Sequence, residues 1–372
     1  MIDREIFEET LLEFLAPVAP YLRDPAVSEV MINGPGQIFV ERRGLLEPTP
    51  DRFESEDDVL CALRNLAQFV NKPLDELHPT LEARLPDGSR VQAVIPPIAS
   101  SGPYVSIRRF QPSTLTAGHL IELGSVSRDA LALLESCVRA KLNIMVAGGT
   151  GSGKTSLLNL LATFIPPGER VIVIEDSKEV QLQHGHVIGL EARPADVHGR
   201  GAVSIRDLFR TTLRMRPDRI VIGEVRGGEA LDLVQAMVSG HGGCLGTLHA
   251  TYPRDTLTRF ETMALMSDLQ LPLGALRLQI GSGIQLLVQI AREQDGSRGI
   301  THITEVLGYD LGAGQYQLRD LFVREYHGID PSGRMRSQLL PTGALPSFLP
   351  TLQKSGAVLP PGMLAAARAA QA

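Results

Sequence analysis

Residues 143–156 read NIMVAGGTGSGKTS. The apolar run Ile144, Met145, Val146, Ala147 is short and suits a buried strand. Gly148, Gly149, Gly151 and Gly153 follow within six positions, and from Ser156 to Ala162 the apolar residues recur with helical spacing. The loop between fits G-x-x-x-x-G-K-[ST] with Gly148, Gly153, Lys154 and Thr155. Glycines let backbone N–H groups turn inward and approach phosphate oxygens without a Cβ in the way. The helix that starts there points the positive end of its dipole at the same anion. In such a loop the lysine reaches the β- and γ-phosphates and the threonine hydroxyl ligates Mg²⁺. The expected phosphate-binding residues are therefore Gly148, Gly149, Thr150, Gly151, Ser152, Gly153, Lys154, Thr155 and Ser156, with Thr155 on the metal.

Outward from this loop, residues 127–250 alternate helix and strand. Helix 128–140 precedes strand 143–147, and the loop's own helix precedes strand 170–174. Helix 205–215 precedes strand 219–222, and helix 229–239 precedes strand 243–247. This succession predicts an α/β unit with a parallel sheet and helices on both faces. Ligands of such sheets bind at the carboxyl ends of the strands. Strand 170–174 runs into Glu175 and Asp176, strand 219–222 into Gly223, Glu224, Val225 and Arg226, and strand 243–247 into Leu248 and His249. Carboxylates at that edge suit phosphoryl transfer, which needs charge neutralisation and an oriented water. Glu224 is assigned to Mg²⁺, directly or through water, and Glu175 to the attacking water. His249 either senses phosphate or bridges to Glu224; His241, just before the same strand, is functional or packed. Arginines neutralise charge building on the leaving phosphates, often from a neighbouring domain or subunit. Arg108, Arg109, Arg214, Arg216 and Arg226 are the candidates.

The rest of the chain frames this unit. Residues 1–22 suit one amphipathic helix ended by Pro17 and Pro20. Residues 27–110 read as an α+β domain. Strands flank the turn Asn33-Gly34-Pro35-Gly36, a helix covers 57–70, a hairpin turns at Pro86-Asp87-Gly88, and a strand carries Arg108 and Arg109. Residues 111–126 read as a linker and hinge, and 254–330 as two helices and three strands that complete the nucleotide unit. Residues 331–372, rich in proline and glycine, read as a peripheral tail. The whole divides as 1–26, 27–110, 111–126, 127–330 and 331–372.

The net charge of −6, no tryptophan and six tyrosines leave little for a nucleic-acid stacking surface. No apolar run approaches the 18 residues of a membrane span. The acidic start resembles neither a signal peptide nor a basic anchor. A cytoplasmic protein is expected, meeting the inner membrane only peripherally through partners. Cys61, Cys137 and Cys244 lack metal-site spacing and read as buried, reduced thiols.

The order GGTGSGKT, VIVIEDSKEVQL, LRMRPDRIVIGEVRGGEALDL and SGHGGCLGTLHATYPRDTLTRFE closely resembles the type II/IV secretion ATPase superfamily, with its Walker A, Asp-box, Walker B and His-box segments. ARLPDGSRVQAVIPP and SIRRF resemble its N-terminal domain. The nearest branch resembles the CpaF-like tight-adherence (Flp) pilus ATPases; the four-cysteine zinc site of the type II branch is missing. The resemblance implies a RecA-like P-loop ATPase core with an N-terminal α+β (PAS-like) domain. It implies ATP and Mg²⁺ as ligands, a homohexameric ring, and a platform protein in the inner membrane as partner. The implied activity is ATP hydrolysis driving pilus assembly or protein secretion, with a type IV secretion ATPase or, further off, a nucleic-acid ring motor as alternatives. On this pattern Glu175 is the Asp-box glutamate, Glu224 the Walker B glutamate and His249 the His-box histidine. Arg214 is a phosphate-sensing or trans arginine, and Arg108 or Arg109 meets nucleotide from the N-terminal domain.

Overall fold

The computed structural model describes residues 10–370 except 43, 86, 111–114, 197–198, 270 and 332. It divides into two compact units, Met1–Pro112 with Val197–Arg200, and Ser113–Asp196 with Gly201–Ala372.

In the first unit six antiparallel strands form one sheet in the order β3-β2-β1-β6-β5-β4. They are β1 (Val27–Asn33), β2 (Ile38–Arg42), β3 (Leu45–Pro48), β4 (Thr80–Arg84), β5 (Arg90–Val94) and β6 (Tyr104–Arg108). The turn after β1 closes where Asn33 N–H donates to Gln37 O at 2.8 Å, with Gly34 in the left-handed region at φ 74°. Helix Glu56–Phe69 starts on a capping box between Ser55 and Asp58. Its Val59, Ala62, Leu63, Leu66 and Ala67 recur at three and four and are buried, in one core with Val30, Ile32, Leu81, Val91 and Ile107 of the sheet. Pro20 does not end the first helix: it sits in the first turn of a further helix, Ala19–Arg23, where its missing N–H costs nothing. The earlier part of that expected helix, residues 1–9, and Pro86 of the hairpin turn lie outside the described residues.

The second unit is built on nine strands in the order β15-β14-β13-β12-β7-β11-β10-β8-β9. The parallel strands are β7 (Ile144–Gly148), β8 (Val171–Glu175), β9 (Val187–Glu191), β10 (Arg219–Ile222), β11 (Leu245–Leu248) and β12 (Leu286–Arg292). The antiparallel strands β13 (Arg298–Asp310), β14 (Gln315–Ile329) and β15 (Met335–Pro341) extend the sheet beyond β12. All residues of β7, β8, β10 and β11 are buried, as strands covered on both faces must be. The apolar residues of the two faces form separate clusters, one with helices Arg128–Arg139 and Lys154–Ala162, the other with Glu229–Val238 and Pro253–Leu265.

Three expectations are corrected here. Residues 331–372 are not peripheral. β15 pairs with β14, and Leu339, Phe348, Leu352, Leu359 and Met363 are buried in the larger core. The prolines that suggested irregular chain, Pro350 and Pro361, open helices Leu349–Lys354 and Pro361–Ala369. Gly362 permits the closing contact: a Cβ there would lie 1.9 Å from the Asp129 carboxylate. Secondly, the far end of the expected linker is packed, since Val126 is buried in this core and Gly124 and Ser125 are hydrogen-bonded to it. Residues 111–114 of that linker lie outside the described residues. Lastly, Cys137 and Cys244 are buried, but Cys61 is exposed, because it falls on the outer face of helix Glu56–Phe69. No helix of the described residues is long and apolar enough to cross a membrane.

Candidate nucleotide-binding site

The carboxyl ends of β7, β8, β10 and β11 share one edge of the sheet, and the loops leaving them converge there. The loop after β7 is shaped by its glycines. Gly153 caps helix Lys154–Ala162 at φ 96° and Gly151 stands at φ 69°. At Gly148 a Cβ would lie 2.4 Å from Ile290 O and 2.5 Å from Ser152 Oγ, so only glycine fits. Ser152 is buried and its hydroxyl donates to Gly149 O at 2.8 Å.

Lys154 is buried in the first turn of that helix, and its ammonium folds back over the loop. Nζ donates to Gly149 O at 2.9 Å and Gly148 O at 3.2 Å, and to His249 Nδ1 at 3.3 Å. His249 Nε2 stands 2.8 Å from Glu224 Oε1, and Glu224 Oε2 accepts from Arg226 at 2.7 Å. Arg226 continues to Asp176 at 3.1 Å. Burial, then the nearby Lys154 charge, holds His249 below its ordinary value. The ring is thus neutral at pH 7, with Nδ1 accepting from Lys154 and Nε2–H donating to Glu224. The Glu224 hydrogen bond pushes Arg226 further up.

Glu175, the last residue of β8, and Glu179 of the loop that follows part company. Glu175 points inward and is 5% exposed. Its Oε1 accepts the Glu179 and Val180 N–H groups at 2.8 and 2.7 Å, folding the loop back on the strand. Burial raises its pKa to about 6 against the pull of those two bonds. Gly223 makes room for it, since a Cβ there would lie 2.9 Å from Glu175 Cγ. Glu179, which the sequence reading passed over, turns outward, and its Oε2 accepts from the Thr155 hydroxyl at 3.3 Å. The signal was present as the second glutamate of EDSKE, but only the turn closed by Glu175 separates their directions. Arg298, also passed over, donates Nε to Gly151 O at 2.7 Å.

The structure gathers Gly148–Thr155, Glu175, Glu224 and His249 at this edge. Arg214 and Arg216 are not gathered. They follow helix Ile205–Thr212 and precede β10, at the amino ends of the strands, where Met215 O holds Arg170 Nε at 3.0 Å. His241 stands at that same far edge, before β11. Arg108 and Arg109 belong to the N-terminal unit. Arg108 is exposed, and the Arg109 guanidinium is occupied by the Asp24 and Val27 carbonyls, holding the entry to β1.

The sequence model of a family described as "Type II/IV secretion system protein" matches residues 12–307. The chain is 36% identical over 290 residues to a Mycobacterium tuberculosis protein named "Putative conjugal transfer protein Rv3659c", covering 76% of this chain and 82% of that one. It is 32% identical over 319 residues to "Type IV secretion system protein VirB11" of Brucella suis, covering 78% and 88%. Among solved structures, the ATPase DotB of Legionella pneumophila aligns with a TM-score of 0.55 at 19% identity, over 79% of each chain. The ADP-bound pilus retraction motor PilT aligns at 0.53 and 19%, over 93% of this chain and 86% of that one. These alignments agree with a RecA-like core and an N-terminal α+β domain. By its matched length and its relatives, the chain belongs to the type II/IV secretion system protein family.

Proposed function

We propose that the protein is an ATP-hydrolysing motor that works as a homohexameric ring and powers a type IV secretion or pilus-assembly machine. The observation that carries this is the unbroken line Lys154–His249–Glu224 beside a formed phosphate loop. It joins the group that grips the terminal phosphates to a carboxylate placed to orient water. The names of the relatives, conjugal transfer and type IV secretion, favour secretion over a tight-adherence (Flp) pilus. The partner would be a platform protein of the inner membrane, met peripherally from the cytoplasm.

Placement supports these roles. Backbone N–H groups of 148–156 and Lys154 bind the phosphates. Thr155 and Glu179 present oxygen donors only, which suits a hard cation that keeps much of its water. Mg²⁺, when bound there, supplies charge neutralisation for the phosphates. In place of the metal role expected for Glu224 and the water role expected for Glu175, Glu224 orients water with His249 beside it, and Glu175 shapes the loop that carries Glu179 to Thr155. Any part that Arg214 plays in turnover is played in trans.

The test is phosphate release from Mg-ATP by the purified chain, with Lys154→Ala as control. Turnover that Lys154→Ala removes supports an ATPase; no turnover and no nucleotide binding in the wild type overturns it. Light scattering with Mg²⁺ and a non-hydrolysable ATP analogue should give about six times the 40.3 kDa chain. A strictly monomeric mass overturns the ring, and a DNA-stimulated rate favours a nucleic-acid motor instead.

A further inference from the structure

The hairpin between β12 and β13 reaches the phosphate loop with two arginines. Arg292 and Arg298 are directly paired across the ladder, so two like charges share one face of a tight hairpin. Both lie against the loop. Arg298 Nε donates to Gly151 O at 2.7 Å, and Arg298 Cδ lies 3.5 Å from where a Cβ of Gly153 would stand. Arg292 NH1 lies 3.4 Å from the corresponding point on Gly151.

The bond to Gly151 has a directional consequence. In a planar trans peptide the C=O and the following N–H point in opposite directions. Holding Gly151 O outward on Arg298 therefore turns Ser152 N–H inward, where it now lies 3.4 Å from Gly149 O. An inward N–H is what a phosphate oxygen needs from this loop.

Arg298 is itself held from the other side. The Ser125 hydroxyl donates to Arg298 O at 2.5 Å, and Ile300 N–H donates to Ser125 O at 2.9 Å. Arg324, buried, donates to Gly124 O and Ser125 O at 2.9 and 2.8 Å and to Ile300 O at 2.7 Å. Residues 124–125 end the segment that follows the N-terminal unit in the chain. A continuous set of hydrogen bonds thus runs from Ser125, through the backbone and side chain of Arg298, to Gly151.

We propose that Arg298 is a positioning residue for the nucleotide phosphates, that Arg292 adds to the field they meet, and that Ser125 sets Arg298 in place. This rests on the nucleotide site proposed above. Through Ser125, the packing of residues 124–125 is coupled to the loop's grip on nucleotide.

The experiment is equilibrium binding of fluorescent ATP and ADP analogues with Mg²⁺, together with steady-state ATPase kinetics, on the full chain. Arg298→Ala should weaken nucleotide binding about tenfold, as expected for loss of a charge-assisted bond, and raise KM with kcat within about threefold. Arg298→Lys should recover part of the affinity. Ser125→Ala should weaken binding by a smaller factor, and the double variant Ser125→Ala/Arg298→Ala should be no weaker than Arg298→Ala alone. Thermal melting of each variant separates these effects from misfolding; if Arg298→Ala does not fold, the Lys and Ser125 variants carry the test. Wild-type affinity in Arg298→Ala, or additive losses in the double variant, overturns the proposal while leaving the ATPase assignment standing. Failure of the wild type to bind nucleotide overturns the assignment itself.

Discussion

His249 Nε2 lies 2.8 Å from Glu224 Oε1, although the two residues end different strands, β11 and β10. Parallel pairing of those strands brings Val221 beside Leu245 and Ile222 beside Gly246, so the residues just past each strand meet. Thr247 secures the junction, its hydroxyl donating to Gly223 O at 2.6 Å. Backbone register therefore brings the two side chains within reach of one another.

Glu224→Gln keeps the shape and the bond to His249 but removes the charge. Turnover of Mg-ATP should fall about a hundredfold or more, while the nucleotide dissociation constant stays within a few-fold. Comparing single-turnover rates with equilibrium binding checks this. Unchanged turnover would remove Glu224 from the reaction. Lys154→Ala should lose binding itself, because the ammonium is the buried cation of the loop.

Glu179→Gln and Glu175→Gln should behave differently. Loss of the Glu179 charge beside Thr155 should raise the Mg²⁺ concentration for half-maximal activity about tenfold. Glu175→Gln should leave that concentration nearly unchanged, since its carboxylate faces the backbone of its own loop. A magnesium titration of both variants decides between the two glutamates.

The pKa of Glu175 sets a stability window. Burial raises it to about 6, above the ordinary glutamate value of 4.5, so folding favours the protonated form. This contribution is complete below about pH 4.5 and is lost as pH rises through 6. The difference amounts to about 2 kcal/mol. Glu175→Gln, which cannot ionise, should match the wild type near pH 4.5 and exceed it by up to about 2 kcal/mol near pH 8. Urea unfolding at both pH values measures it, and a wild-type advantage at pH 8 would refute it.

The C-terminal helices should be part of the folding unit. Met363 is fully buried in the larger core, so Met363→Ala should cost about 2–5 kcal/mol. Removing the residues after Pro341 should lower the melting temperature sharply by calorimetry. A truncated chain that melts like the full one would show that the tail is peripheral after all.

Much of the site was legible because local chemistry demands particular residues. A phosphate loop needs glycines at positive φ and a lysine at the helix start, and Gly151, Gly153 and Lys154 show this in any context. Buried parallel strands need unbroken apolar runs, so β7, β8, β10 and β11 were visible with the polar residues that end them. β9 escaped because its burial is only partial, with two exposed residues in five. The tail escaped because proline marks helix starts as readily as loops, and only the partner surface at Asp129 and the larger core distinguishes the two.

The sequence by itself determined the glycine-rich loop between strand and helix, the parallel core and which strand ends carry carboxylates, since these follow from local periodicity and residue type. Tertiary structure alone decided which carboxylate stands by Thr155, that His249 joins Lys154 to Glu224, that Arg214 lies at the opposite strand ends, and that Arg298 reaches Gly151. Each of these depends on strand order and on loop turns between residues far apart in the chain. Side-chain direction at a loop is set by hydrogen bonds such as those of Glu175 to Glu179 and Val180 N–H, which no pattern of residue types records.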